Sequence, residues 1–435
     1  MKLLYYIIPF LILMSSCKKE HDHDCFTFGS KKNWRANKNI SENTSYSNNL
    51  GYGFDFNNKE KVQIISGINS YCTADVPFYF SVKKPEGNYE VEVIFGNPSK
   101  PSQTNIKAEA RRLMVKNLKV KKGETISKKF IVNVRSPQID QNRSIKLKAR
   151  EENYMNWDNR LTLEFSGENV AIHQITIHPI QPKTTLFLAG NSTVTDQDCE
   201  PWASWGQMIT CYFNSTVVVS NYAESGESLQ SFKNAGRLDK ILSLIQAGDY
   251  LFIEFGHNDQ KQTGEGIGPW TSFTKLLLEY VEKTRARGAI PVLVTPAQRR
   301  SFKSEGFIEY THEEYPAAMR KVAADYNVPL IDLNEMTKVL YEAWGPEESK
   351  KAFVHYPANT FPGQDKPLED NTHFNPFGAH EIALCILKGI NDIQLELKNK
   401  VIGFKPNYTQ TQPNQFENWT LPMSPRLVSI KPEGN

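Results

Sequence analysis

Thr184-Thr185-Leu186-Phe187-Leu188-Ala189-Gly190-Asn191-Ser192-Thr193 reads as a short apolar strand that breaks at a glycine and passes into a polar loop carrying a serine. In open α/β sheets, the space beyond the strands' carboxyl ends is where active sites are built. Strand-Gly-x-Ser turns also serve as plain turns, so the stretch takes its meaning from its surroundings. After it, strand-like runs at 186–189, 217–220, 250–255, 291–295 and 329–333 alternate with helical patterns at 205–213, 237–246, 272–287 and 313–326. A closing helix is predicted from about residue 376 to 398, with Pro376 suited to its first turn. Five apolar strands, each followed by a helix, predict a parallel sheet covered on both faces. Right-handed crossovers make residues 184–400 an α/β three-layer sandwich.

The second strand runs into Asn221-Tyr222-Ala223-Glu224-Ser225-Gly226-Glu227-Ser228, and the third into Phe255-Gly256-His257-Asn258-Asp259. Three strand ends thus deliver Ser192, Gly226 and Asn258 to one edge of the sheet. Asp370-Asn371-Thr372-His373 comes just before the final helix. A serine hydroxyl is a poor nucleophile until a base accepts its proton. His373 can be that base and then the acid for the leaving hydroxyl. Asp370, three residues earlier, can fix the imidazole tautomer, so one loop can carry both residues. Each residue has a plainer reading as well. Asn258-Asp259 can cap a helix, Gly226 can be a turn glycine, and Asp332 is a rival strand-end carboxylate that suits a helix cap near Asn334. His257, His312, His355 and His380 are left as structural or substrate-facing. No spaced metal-ligand cluster appears in this half, so catalysis without metal or other cofactor is expected.

Gly190-Asn191-Ser192, Gly226, Gly256-His257-Asn258-Asp259 and Asp370-Asn371-Thr372-His373, in that order, resemble the four blocks of the SGNH (GDSL-like) hydrolases over residues from about 184 to 398. Asn191-Ser192-Thr193-Val194, Asn221-Tyr222-Ala223 and Asp370-Asn371-Thr372-His373-Phe374 look most like the rhamnogalacturonan acetylesterases within that superfamily. The resemblance implies a Ser192–His373–Asp370 triad. It also implies an oxyanion hole made by the Ser192 amide, the Gly226 amide and the Asn258 side chain. Two positions depart from the pattern: Asn191 replaces the usual aspartate, and Glu227 stands where relatives often carry arginine, which bears on the charge of the substrate. No Gly-x-Ser-x-Gly elbow surrounds Ser192, unlike the ordinary α/β-hydrolase lipases.

The amino-terminal half has a different rhythm. Period-two runs at 89–95, 130–134, 145–148, 161–165 and 172–177, with turns between them, predict an antiparallel β-sandwich over residues 26–180. Phe26-Thr27-Phe28-Gly29 and Gly51-Tyr52-Gly53-Phe54 resemble the leading, galactose-binding-like jelly roll of two-domain pectin acetylesterases. Trp34, Tyr154 and Trp157 are candidate sugar-stacking rings, although single aromatics in a sandwich more often belong to the core. Pro179 and Pro182 mark the boundary between the halves. Residues 401–435 form a polar, proline-containing tail expected to pack back over the enzyme.

Residues 1–17 read as an export signal, with Met1-Lys2, an apolar run and Ser15-Ser16-Cys17. They resemble a bacterial lipoprotein signal with Cys17 as the lipidated residue, which implies an exported, membrane-anchored protein. Residues 18–25 are a charged linker, whose His21, Asp22, His23 and Asp24 are read as solvated. The six cysteines permit disulfides after export, but none is assigned. A net charge of +3 over 435 residues gives no argument for nucleic acid.

The expected protein is therefore a serine esterase that removes O-acetyl groups from a plant polysaccharide. Acetylated rhamnogalacturonan I is the first substrate and acetylated xylan the second. A lipid or other short-chain ester hydrolase of the same fold and a non-catalytic polysaccharide-binding lipoprotein are the alternatives.

Overall fold

A computed structural model describes residues 23–29, 38–67, 69–428 and 430–433. The leader, Cys17, most of the linker and Trp34 lie outside the described residues.

The amino-terminal half is built from two sheets. One runs in the order Ile126–Val134, Gly87–Phe95, Ile172–Ile180, Asp24–Phe28 and Lys38–Ile40, with Tyr71–Thr73 and Gln63–Ile65 attached. All its pairings are antiparallel except the last two strands of that order, which pair in parallel. The other sheet is antiparallel, in the order Tyr52–Asp55, Phe78–Lys83, Arg160–Glu168, Ser102–Ala108 and Arg112–Val120. Alternation decides which face each strand buries. Along Gly87–Phe95, Tyr89, Val91, Val93 and Phe95 are buried. They join Phe26, Phe80, Phe165 and Ile175 in one core shared by both sheets. Phe26 and Phe80 meet edge to face with centroids 5.1 Å apart.

The run at 145–148 forms no strand, contrary to its alternation. It leads instead into the 3₁₀ turns Ala149–Asn153 and Met155–Trp157, and its backbone bonds are divided, the Ile145 amide donating to the Pro137 carbonyl at 2.8 Å. The Lys146 amide donates to the Ala235 carbonyl at 2.9 Å. The Trp157 ring lies against Tyr222 and the Arg135 guanidinium, so it is engaged between the halves.

In the carboxyl-terminal half, Thr184–Gly190, Val217–Asn221, Tyr250–Glu254, Ile290–Val294 and Leu330–Ile331 form a fully parallel sheet in the order second, first, third, fourth, fifth. Its nearly unbroken apolar strands bury both faces. Leu186, Leu188, Phe252 and Val294 face one core with Trp205, Leu340 and the helix Pro376–Asp392. Phe187, Ala189, Leu251 and Leu293 face the other, with the helices Leu229–Asn234, Arg237–Leu244, Thr274–Arg285 and Tyr315–Asp325.

Several element bounds differ from the sequence reading. The helix after the first strand is short, Trp205–Met208, and continues as the 3₁₀ segment Ile209–Tyr212. The fifth strand keeps only Leu330–Ile331, since the helix Leu333–Glu348 starts at once. The closing helix stops at Asp392, ahead of a separate 3₁₀ turn, Glu396–Lys400. Asp332 precedes a helix but its side chain does not cap it. Its carboxylate accepts instead from Thr295 and from Arg320, at 2.8–2.9 Å. Asp370 and His373 stand on the strand Leu368–Phe374, paired antiparallel with Phe353–Tyr356, and not in a loop.

Beyond residue 400 the chain has little regular structure and crosses both halves. Lys107 Nζ donates to the Pro422 carbonyl and the Ser424 hydroxyl, and the Val428 amide donates to the Glu200 carbonyl at 2.9 Å. Cys72, Cys199, Cys211 and Cys385 are free thiols.

Candidate active site

The first strand ends at Gly190 because nothing larger fits there. A Cβ at this position would meet Val194 Cγ2 at 2.5 Å and the Glu254 carbonyl at 3.0 Å. The chain then closes a turn in which the Val194 and Thr195 amides donate to the Asn191 carbonyl. Asn191 Oδ1 lies 3.1 Å from the Thr193 amide and 2.9 Å from its hydroxyl, so the residue in the usual aspartate position braces the turn as an acceptor. The Ser192 carbonyl accepts from Gln197 Nε2 and Ser204 Oγ. Beneath the turn, the buried Glu254 carboxyl meets Thr193 Oγ1 at 2.8 Å and Trp205 Nε1 at 2.6 Å. Burial pushes its pKa up to about 7, against those two hydrogen bonds.

The structure brings Ser192, His373 and Asp370 together from positions far apart in sequence. Ser192 Oγ is 2.8 Å from His373 Nε2, and His373 Nδ1 is 2.7 Å from Asp370 Oδ2. Asp370 Oδ1 accepts from the backbone amides of Thr372 and His373 at 2.9 and 3.0 Å. Burial disfavours the carboxylate's charge. The His373 contact and the two amides outweigh it and hold the group well below the usual carboxylate range. Asn375, next in the chain after Phe374, accepts from the Gly378 amide as N-cap of the closing helix, and this anchors the His373 strand.

Gly226 and Asn258 reach the same edge. Gly226 has φ +81°, in the left-handed region that glycine adopts without strain. The Ser225 carbonyl before it accepts from Lys148 Nζ at 2.6 Å and from Arg150 at 2.9 Å. Carbonyl and amide point opposite ways across a trans peptide, so this pinning aims the Gly226 N–H away from the two cations. Asn258 ends the third strand's loop, where the Asp259 carboxylate accepts from the Gly256 and Leu229 amides, both at 2.9 Å. Asn258 Nδ2 donates to the Glu227 carbonyl at 3.0 Å, and a primary amide carries a second donor. Among the described residues, neither the Ser192 nor the Gly226 backbone N–H has a protein acceptor.

Other residues of the site have no local signal in the sequence. The Trp202 indole N–H lies 3.4 Å from Asp370 Oδ2, while its carbonyl accepts from Arg111 at 2.7 Å. Arg111 also pairs with Glu200 at 2.6 Å. Arg135 and Arg112 converge on Asp196 at 2.9 and 3.4 Å, and Asn221 Nδ2 donates to that carboxylate at 2.8 Å. All these groups are buried. The amino-terminal half therefore grips the 196–202 segment that runs from the Ser192 turn to the Trp202–Asp370 contact.

His257 and His312 are buried against each other, with ring nitrogens 3.1 Å apart, and burial drives both well below the ordinary histidine pKa. They pack at the Asn258 loop, where Arg299 donates to the His257 carbonyl at 3.3 Å. His355 meets Asn371, and His380 meets Tyr212 and Lys116.

A family model described as "GDSL-like Lipase/Acylhydrolase family" matches residues 188–380. The chain is 46% identical over 229 residues to the rhamnogalacturonan acetylesterase RhgT of Bacillus subtilis, spanning 52% of this chain and 95% of that one. It is 33% identical over 220 residues to the probable rhamnogalacturonan acetylesterase YesY of the same organism, covering 50% of this chain and 97% of YesY. An uncharacterized esterase, YxiM, also from B. subtilis, is 26% identical over 337 residues, 74% of this chain and 82% of its own, so the similarity reaches into the amino-terminal half. With the Ser192 turn, the Gly226 and Asn258 loops and the Asp370–His373 strand falling in the matched region, the chain belongs to the GDSL-like lipase/acylhydrolase family and is an esterase.

Proposed function

We propose that this protein is a carbohydrate esterase that hydrolyses O-acetyl esters on a pectic polysaccharide, with acetylated rhamnogalacturonan I as substrate. The observation that carries the reading is the hydrogen-bonded line from Ser192 through His373 to Asp370, at 2.8 and 2.7 Å. The names of the two relatives at 46% and 33% identity support the choice of polymer.

In this mechanism His373 takes the Ser192 proton as Oγ attacks the acetyl carbonyl, and Asp370 stabilises the imidazolium. The Ser192 and Gly226 amides and the second Asn258 amide hydrogen hold the oxyanion. Such donors act where charge develops, in a site from which water is excluded. His373 then protonates the departing sugar hydroxyl, leaving an acetyl-Ser192 ester. Water, deprotonated by His373, releases acetate. The amino-terminal half, with its resemblance to galactose-binding-like jelly rolls, buttresses the 196–202 segment in this reading. Residues 1–17 would export the protein and Cys17 would anchor it to a membrane through lipid.

The test is acetate release from acetylated rhamnogalacturonan and acetylated xylan by the wild type and Ser192→Ala. Release from the pectic polymer, abolished by the substitution, is the expected result. Release from xylan alone would move the substrate to the second polymer. No release from either by folded protein would overturn the deacetylase reading, and a short-chain ester assay would then separate another esterase from a binding protein.

A further inference from the structure

A cavity of about 320 Å³ is lined by Arg150, Tyr154, Trp202, Ser225, Lys431 and Glu433, among others, and its Lys431 comes within 3.7 Å of Asp370 Oδ1. Its volume falls within the range of small-ligand sites, ~300–1,000 Å³. Two cations from the amino-terminal half, Lys148 and Arg150, stand at its rim next to Gly226. Both are about a quarter exposed, with side-chain accessibilities of 27% and 28%. A Cβ built on Gly226 would lie 3.1 Å from Lys148 Nζ and 3.2 Å from Glu433 Oε2, so the cations and the carboxylate they hold are immediate neighbours of that strand-end loop.

The carboxylate belongs to the last described residue of the tail. Glu433 Oε1 is 2.6 Å from Arg150 NH1, and its Oε2 is 3.2 Å from Lys148 Nζ. Each cation has another carboxylate on a different side: Arg150 NH2 meets Glu224 at 2.8 Å and Lys148 meets Glu227 at 3.3 Å. Those are body residues, buried in the loop that carries Gly226. Glu433 differs. Its side chain is 61% exposed, and it enters from a tail that also brings Lys431 Nζ to 3.7 Å from Asp370 Oδ1. An exposed carboxylate of the chain itself thus occupies a two-cation cradle next to the Gly226 loop.

We infer that Lys148 and Arg150 form a carboxylate-binding subsite for a uronate residue of the substrate, and that Glu433 occupies it as a stand-in until substrate arrives. The inference rests on the function proposed above, since a galacturonate-containing polymer carries a carboxylate near every acetylated unit while a neutral xylan backbone does not. It also accounts for Glu227, which replaces a common arginine: the positive charge comes from the other half of the chain. Tyr154, half-buried on the wall of the cavity, gives a flat surface for the sugar ring that bears the carboxylate.

The subsite is tested by inhibition, without needing polymer turnover. Hydrolysis of 4-nitrophenyl acetate is followed with a short oligogalacturonate, and separately with a xylo-oligosaccharide, as inhibitor of the full chain. The acidic oligosaccharide should inhibit competitively and the neutral one should not. Arg150→Gln should weaken oligogalacturonate inhibition about tenfold, as expected for losing a charge-assisted contact at a partly exposed site. Because Arg150 also holds the Ser225 carbonyl, the exposed Glu433→Gln gives the cleaner variant. Removing the competitor's charge should tighten inhibition about threefold, a modest change for one displaced surface ion pair. Equal inhibition by both oligosaccharides, or an inhibition constant that neither substitution moves, would overturn the assignment. Failure of the functional reading has a different signature: the wild type would release no acetate from rhamnogalacturonan even if oligogalacturonate still inhibits.

Discussion

Replacing Asp370 by asparagine isolates the charge and proton-accepting role of one oxygen while keeping shape. In the native protein Oδ1 is committed to the amides of Thr372 and His373, at 2.9 and 3.0 Å, and Oδ2 faces His373 Nδ1 at 2.7 Å and the Trp202 indole at 3.4 Å. The two backbone amides can only donate, so an asparagine must keep its oxygen toward them. Its NH₂ then faces His373 Nδ1. That nitrogen can satisfy the contact only as an acceptor, which puts the imidazole proton on Nε2, pointing at Ser192 Oγ. A base already protonated on the working nitrogen cannot take the serine's proton. The expected loss in kcat is about 10³–10⁴-fold, or ~4–5.5 kcal/mol of transition-state stabilisation. KM should change little, because Asp370 is buried behind His373. The assay is the initial rate of acetate release, with far-ultraviolet circular dichroism to confirm folding and proton NMR to follow the imidazole N–H. Asp370→Asn retaining more than about a tenth of kcat in a folded protein would refute the tautomer argument. So would a larger loss in Asp332→Asn, whose carboxylate is tied to Arg320 and Thr295.

Asn258→Ala should lower kcat about 100- to 1000-fold with a smaller change in KM, through loss of one oxyanion donor. Steady-state kinetics on 4-nitrophenyl acetate would show it, and a loss confined to KM would contradict the role. Asp196→Asn leaves Arg112 and Arg135 buried against a neutral amide, and should destabilise the fold by about 3–5 kcal/mol in urea titration. An unchanged midpoint would mean the interface does not depend on that carboxylate. Glu254 gives a pH signature. Its pKa rises from the ordinary 4.5 to about 7 on folding, so between those values the folded state binds the extra proton. Stability therefore falls as pH rises through that window, by an amount on the order of 1–3 kcal/mol from this group, and the loss is complete above the folded value. Thermal unfolding from pH 4.5 to 8 should show a shallower decline in Glu254→Gln, and identical slopes would exclude the contribution.

How much could be read without coordinates follows from the range of the interactions involved. The parallel sheet was legible because its strands are apolar on both faces, and each run between turn residues carries that signal locally. The strand-end positions of Ser192, Gly226 and Asn258 followed from the same pattern, and the spacing of Asp370 and His373 from their neighbouring places in the chain. The short fifth strand and the missing strand at 145–148 were misread because a period cannot say which partner a backbone will bond. The same limit hid the hairpin under Asp370, whose register is set by Phe353–Tyr356.

Amino-acid order alone determined which groups are available: a serine, a glycine and an asparagine just past strand ends, and a histidine three residues after a carboxylate. Tertiary structure decided how that chemistry is held and what surrounds it. Arg111 reaches Trp202 across 91 residues, and Lys148 reaches Glu433 across 285. These contacts leave no periodic trace, because burying or pairing a charge depends on what the whole fold brings within a few ångströms, and no local pattern records that distance.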